Sequence, residues 1–219
     1  MSHWRDTELQ RLIRIQSEFA QVPRVQQEMG QHITFFGSAR PKWGDVEYDF
    51  TVELAQKLAV RGWDILTGGG PGLMEAANLG CQAGGGFSGG CTLSGLPGEQ
   101  KPNIYLDAEF HFSHFYARKT ALVRYASAYV VCPGGAGTAD ELFEVFTLMQ
   151  NAKMPRRPML FVGDFWRPLL VDVFGAMITS GYVATEETTG VYSVSLDDDP
   201  HRVAEFLEDR AVQFKEGHV

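Results

Sequence analysis

The chain has 219 residues and a formal net charge of -8, with 44% hydrophobic and 12% aromatic residues. That composition supplies one large α/β domain with a full core and excludes a disordered chain. The acidic balance argues against a general nucleic-acid binder, which needs a basic surface, whereas a small phosphorylated ligand needs only a few local cations. Cys81, Cys91 and Cys132 lack paired-ligand spacing and read as reduced thiols of a cytoplasmic protein. The polar, charged stretch WRDTELQRLIR predicts no signal peptide, and no apolar run reaches membrane-spanning length.

In chain order, Leu9, Leu12, Ile13 and Phe19 recur among charges, which predicts an amphipathic helix over about residues 5–20. Pro23 and Gly30 punctuate the next stretch. Ile33 to Phe36 is an apolar strand running into Gly37-Ser38-Ala39-Arg40. Residues 47–60 form a helix with Phe50, Val52, Leu54, Leu58 and Ala59 inward. Trp63 to Thr67 is a second strand, followed by the loop that begins GGGPG at residue 68 and a helix over residues 73–83. Cys91 to Leu96 and Tyr105 to Phe112 are candidate strands, and residues 113–126 a helix. A strand at residues 128–132 and a helix from about residue 136 come next, then a strand at Met159 to Val162 and a helix at Phe165 to Ile178. The chain closes with a strand at Val191 to Val194 and a helix over residues 200–214, which Asp197-Asp198-Asp199 precedes as a helix start. Strands alternating with helices predict a doubly wound, Rossmann-like parallel sheet with helices on both faces, and no internal repeat, linker or domain boundary interrupts residues 1–219.

Three strand-to-helix loops, at residues 37–40, 68–72 and 133–138, are rich in glycine or small residues and fall on one edge of such a sheet. Ligands of doubly wound sheets sit at that edge, at the switch point. None of the loops has the GxGxxG or GxxxxGK[ST] spacing, so a dinucleotide dehydrogenase and a phosphate-loop NTPase both lose support. The third loop is the most informative. PGGAGTADE at residues 133–141 joins a buried strand to an amphipathic helix. Helix-start N–H groups point outward together at the positive end of the dipole, which suits a phosphate. Gly134, Gly135 and Gly137 let a ligand come close to the backbone, and Thr138 adds a hydroxyl. Asp140 and Glu141 follow at once, where a plain phosphate cradle would avoid acids. A carboxylate next to a phosphate site suits cleavage of an N-glycosidic bond, because it stabilises an oxocarbenium-like sugar and takes a proton from water. Arg118 precedes the strand that delivers this loop, so the fold can bring it to the same edge, where a guanidinium holds phosphate oxygens, orients Glu141 and keeps it ionised.

GGGPGLMEAAN at residues 68–78, Arg118-Lys119 and PGGAGTADE resemble the LOG (Lonely Guy) family of cytokinin riboside 5'-monophosphate phosphoribohydrolases, once mislabelled lysine decarboxylases. The family pattern is PGGxGTxxE with an upstream Arg-Lys pair, and the resemblance covers roughly residues 31–180. It implies that Arg118 and Glu141 are catalytic. It places Lys119, Gly134, Gly135, Ala136, Gly137, Thr138 and Asp140 against the nucleotide, with Thr147 bordering it and Glu99 near an acidic pocket position. It also implies a homodimer, or a higher homo-oligomer, with the pocket near the subunit interface. Phe115-Tyr116-Ala117 and Ala139-Asp140 depart from the plant pattern of Met-His and Leu-Glu, which leaves the base open between adenine and N6-prenylated adenine.

The expected reaction releases base and ribose 5-phosphate from a nucleoside 5'-monophosphate, with water as co-substrate and no metal or cofactor. The alternative is a nucleotide-binding carrier or sensor without turnover. Neither nucleic acid nor membrane is an expected partner. His111 and His114 lack a third clustered ligand for a metal, and nothing places Lys119 against a pyridine ring. Glu75 and Asn78 either contact ligand or cap and solvate their helix, and Trp43, Trp63 and Trp166 read as core or interface.

Overall fold

The computed structural model describes residues 7–95 and 101–217. Its elements run α1 (Glu8–Phe19), α2 (Val22–Met29), β1 (His32–Phe36), α3 (Val46–Val60), β2 (Asp64–Thr67), α4 (Leu73–Ala83), β3 (Ser88–Leu93) and β4 (Ala108–Phe112). They continue with α5 (Phe115–Arg124), β5 (Ala128–Val131), α6 (Ala136–Gln150), β6 (Met159–Val162), α7 (Phe174–Thr179), β7 (Val191–Val194) and α8 (Pro200–Glu216). The strands form one parallel sheet of seven in the order β4-β3-β2-β1-β5-β6-β7. β1, β5 and β6 are buried along their whole length, as a parallel sheet covered on both faces requires.

Side chains that alternate along the strands build two cores. Ile33, Phe35, Ile65 and Val130 pack under Leu54, Leu58, Leu73 and Leu207 of α3, α4 and α8. Phe36, Leu66, Tyr129 and Val131 pack against Met29, Leu122, Leu142 and Val145 of α2, α5 and α6. Asp199 starts α8 by accepting a hydrogen bond from the His201 N–H at 3.0 Å.

Three expectations shift. α2 is an additional helix, where the sequence shows only punctuation by Pro23 and Gly30. β3 begins at Ser88, earlier than expected, because its first residues include Gly89 and Gly90. Those glycines carry no side-chain signal, but they serve packing: a Cβ on Gly89 would collide with the Met29 sulfur. The bare backbone is what lets α2 lie on the sheet. The expected helix over residues 165–178 breaks into a 3₁₀ turn at Asp164–Trp166, a wide-turned segment at Leu169–Val173 and the short α7. Pro168 stands at the N-cap of the wide-turned segment with helical dihedrals, where the missing N–H removes no ladder bond.

Gly89→Ala should destabilise the fold by roughly 1–3 kcal/mol through overpacking. Met29→Ala alone should cost about 2–5 kcal/mol through the cavity it leaves. Placed together, the two should cost less than their sum, as read from urea midpoints. Strict additivity would mean that the helix does not depend on the missing Cβ.

Candidate active site

β1 and β5 are neighbours, and the chain leaves them in opposite directions across the sheet, so the switch point lies between them. Their exit loops run side by side: the Ser38 N–H donates to the Pro133 carbonyl at 3.0 Å, and the Cys132 N–H to the Phe36 carbonyl at 2.9 Å. Trp166 donates its indole N–H to the Cys132 carbonyl at 3.0 Å and so fixes the start of the signature loop from behind. The crevice opens into a cavity of about 510 Å³, with Ser38, Arg40, Gly134, Gly135 and Phe165 in its wall together with Asp45 and Glu47.

α6 begins at this cavity. Gly135 is its N-cap, among the described residues no side chain caps the first N–H groups, and no acid occupies the first turn. Gly135, Ala136 and Gly137 are exposed, whereas Thr138 is buried with its side chain against Gly134. The helix therefore presents uncapped donors to the crevice, as its sequence predicts.

Arg118 and Glu141 are brought together. The guanidinium donates from Nη1 to Glu141 Oε1 at 3.3 Å, from Nε to the Cys91 carbonyl at 2.7 Å and from Nη2 to the Gly68 carbonyl at 3.5 Å. A Cβ on residue 68 would collide with that guanidinium, so the first glycine of the GGG loop is what lets the arginine lie on the backbone. Both side chains are about one-eighth exposed. Burial raises the Glu141 carboxyl to about 7, against the pull of Arg118, with Asp140 adding repulsion. A carboxylate held there switches charge near neutral pH and is suited to moving a proton.

Lys119 takes the other two acids of α6, with Nζ 2.9 Å from Asp140 and 2.6 Å from Glu144. Burial alone would lower its ammonium, but the hydrogen bonds to Glu144 and Asp140 outweigh that and hold it above the usual lysine value. A small cleft of about 30 Å³ beside Arg118 is walled by Met74, Thr92, Leu93 and Pro102. Thr147 is exposed, further along α6 and turned by about 120° from Glu141 at helical spacing. Glu99 lies outside the described residues.

Several supporting residues lie outside the signature loop and the Arg-Lys pair. Glu18, at the end of α1, accepts from the Ser113 and His114 N–H groups at 3.1 and 3.0 Å and from His114 Nδ1 at 3.0 Å. It caps the helix that carries Arg118 and Lys119. His111 instead faces the Thr92 hydroxyl at 3.1 Å, so the two histidines point into different clusters. Asn78 is buried, accepting from the Thr67 hydroxyl and Asn103 and donating to Ser88 and the Gly89 carbonyl. Asn103 also binds the Gly69 and Gly70 carbonyls, at 2.9 and 3.0 Å, and so pins the loop on which Arg118 rests. Glu75 accepts from the Tyr48 hydroxyl at 3.2 Å. Buried polar residues beside a glycine loop were the one signal available, and only Asn78 among them stood out. The three cysteines are free, and burial pushes their thiols up to about 12, which leaves them no role as nucleophiles.

Sheet order and crevice together define a Rossmann-type α/β protein with its polar site at the switch point. The chain belongs to the family whose sequence profile, described as "Possible lysine decarboxylase", matches residues 74–206, more than half of its length; this is the LOG family that the signature resembles. Over 155 residues it is 30% identical to the cytokinin riboside 5'-monophosphate phosphoribohydrolase LOG of Oryza sativa subsp. japonica, covering 69% of this chain and 63% of that protein. Over 137 residues it is 30% identical to the pyrimidine/purine nucleotide 5'-monophosphate nucleosidase of Escherichia coli (strain K12), covering 56% of this chain and 30% of that one. The chain thus spans less than two thirds of either relative. A molybdenum cofactor binding protein from Rippkaea orientalis shares the fold, with a TM-score of 0.58 at 21% identity over 83% of this chain and 98% of its own. Among the described residues, no helix is long and apolar enough to cross a membrane, and no group of three His, Cys, Asp or Glu side chains could hold a metal ion.

Carboxyl-carbon NMR of the ligand-free protein should show Glu141 titrating near 7, far above an ordinary glutamate. In Arg118→Gln the value should move higher still, because the guanidinium is the main influence lowering it. A Glu141 that titrates in the ordinary carboxylate range in both proteins would overturn the buried-pair reading.

Proposed function

We propose that the protein hydrolyses the N-glycosidic bond of a nucleoside 5'-monophosphate, AMP or a cytokinin riboside 5'-monophosphate, to free base and ribose 5-phosphate. The observation that carries this is Glu141, a carboxylate raised to about 7 and paired with Arg118. It sits about 7.5 Å along α6 from a start that opens into the 510 Å³ cavity. That separation is close to the span of a ribose. With the phosphate on the N–H groups at Gly134 to Thr138, the sugar carbon bearing the base falls near the carboxylate. The names of the rice and Escherichia coli relatives support the same chemistry.

In this mechanism the bond between C1' and the base nitrogen breaks with its electrons going to the base. The sugar passes through an oxocarbenium-like state that the Glu141 carboxylate stabilises. Water then adds its oxygen to C1', Glu141 takes the water's proton, and that proton passes on to the base nitrogen that received the electrons, which returns Glu141 to the carboxylate. Arg118 keeps Glu141 oriented and partly ionised at neutral pH. Lys119 neutralises Asp140 and Glu144, which would otherwise repel a phosphate. A homodimer is part of the proposal, and the outward stripe of Leu9, Leu12 and Ile13 on α1 is an apolar surface that such an assembly would cover.

Glu141→Gln should still bind AMP by calorimetry but lose about 10²–10⁴-fold in turnover, the usual worth of a positioned base. Base and ribose 5-phosphate should appear in equal amounts from the parent protein, and adenosine should be a far poorer substrate than AMP. Equal turnover by the glutamine variant would end the catalytic assignment. Binding of AMP with no base release from AMP or from isopentenyladenosine monophosphate would favour a carrier.

The parent's kcat/KM should rise with pH through about 7 as Glu141 ionises, then level off. A rate that falls over that range would instead make Glu141 a proton donor.

A further inference from the structure

A phosphate dianion needs positive charge, and the two cations supplied by the Arg-Lys pair are already committed. Arg118 spends its guanidinium on Glu141, the Cys91 carbonyl and the Gly68 carbonyl, and it walls the small cleft, not the large cavity. Lys119 is held between Asp140 and Glu144. Pulling either away would strip a half-buried carboxylate of its partner.

Arg40 stands differently. It follows β1 on the loop that the Ser38–Pro133 hydrogen bond fastens to the signature, and its own N–H donates to the Ser38 hydroxyl at 3.2 Å. Among the described residues, no carboxylate pairs with its guanidinium. It shares the wall of the 510 Å³ cavity with Gly134 and Gly135. That wall also carries Asp45 and Glu47, and the Asp45 carboxylate is occupied by the Lys42 N–H at 2.7 Å. A dianion entering beside two acids needs a cation with no prior engagement, and among the described residues Arg40 is the one in that wall.

We infer that Arg40 is the residue that recognises the 5'-phosphate and sets the preference for a nucleotide over a nucleoside, while Arg118 serves the glycosidic end. This assignment rests on the proposed nucleotide hydrolase site. A guanidinium suits the task because its planar fork can hold two phosphate oxygens while the N–H groups of α6 hold the third. Arg40 is a specificity residue and takes no part in bond breaking.

The test compares Arg40→Ala, Arg40→Lys and, as a control, Lys42→Ala, an exposed cation outside the cavity wall. Calorimetry with AMP in a Glu141→Gln background reads binding without turnover, and inhibition by inorganic phosphate reads the anion alone. Arg40→Ala should weaken AMP and phosphate roughly 10–100-fold, the worth of a charge-assisted pair. Adenosine binding and the melting temperature should stay unchanged. Arg40→Lys should recover part of the loss, and Lys42→Ala should show none. In the turnover assay the loss should appear in KM and leave kcat within about twofold, since binding that is uniform along the reaction leaves kcat alone. Unchanged AMP affinity in Arg40→Ala overturns the inference whatever the turnover. A parent protein that binds AMP through Arg40 yet releases no base leaves the inference standing and removes the hydrolase reading.

Discussion

A carboxylate taken out of water beside a guanidinium is the interaction around which this site is arranged. Left alone, Glu141 would hold its proton to higher pH than it does beside the arginine, because burial penalises its charge. Arg118 offsets that penalty only while it is itself held still, and two backbone carbonyls do the holding. Breaking a buried pair by removing one partner typically costs about 3–5 kcal/mol, because the survivor keeps its burial without its neutraliser. The constraint then passes outward. The arginine reaches the Gly68 carbonyl because residue 68 has no Cβ, and the loop around that glycine is pinned by Asn103. Asn103 is tied to Asn78, which ties the end of β2 to the start of β3.

Adjacent residues on α5 are given different tasks by helix geometry. Arg118 and Lys119 diverge by about 100°, so one meets Glu141 while the other meets Asp140 and Glu144, which stand one helical turn apart on α6. Without Lys119, the repulsion of Asp140 and Glu144 would go unopposed and raise the Glu141 carboxyl further. The dipeptide therefore sets the charge of three acids, two neutralised and one left poised. Glu18 secures the arrangement from the far end by capping α5, which makes α1 a support of the site although it contributes nothing to its wall.

Much of this was legible in the sequence. The alternation of apolar strands with amphipathic helices carried the parallel sheet, and the position of PGGAGTADE between them carried the open helix start. The Arg118–Glu141 meeting followed from a strand that delivers one loop next to the helix before it. Other features left no trace that periodicity can read. β3 opens with Ser88-Gly89-Gly90, whose glycines lack the side chains that mark a strand, and α2 is a short helix with Pro23 in its first turn whose packing depends on Gly89. The irregular stretch after β6 keeps a helical pattern of apolar residues, yet its hydrogen bonding changes from 3₁₀ to wide-turned to regular along it, which apolar periodicity does not register. Ser38 and Arg40 were visible only as small-loop residues. Their meeting with Pro133 and Gly134 depends on the strand order, and strand order is a tertiary fact.

The distribution of charge also bears on whether the site binds or reacts. A carrier on the same sheet needs the uncapped start of α6 and one free cation, and for that purpose Glu141 is a liability. When ionised it repels a bound phosphate, and when neutral it is a buried polar group that costs free energy to keep dry. Holding it near 7 requires Arg118, a glycine at residue 68 and a pinned loop, none of which improves the grip on an anion. In a hydrolase each part has a use. Poise near neutral pH keeps a ready proton acceptor beside the sugar, the guanidinium fixes its direction, and separation from the phosphate end leaves room for a ribose between the two. The features that are awkward for holding a nucleotide are the ones that suit breaking it.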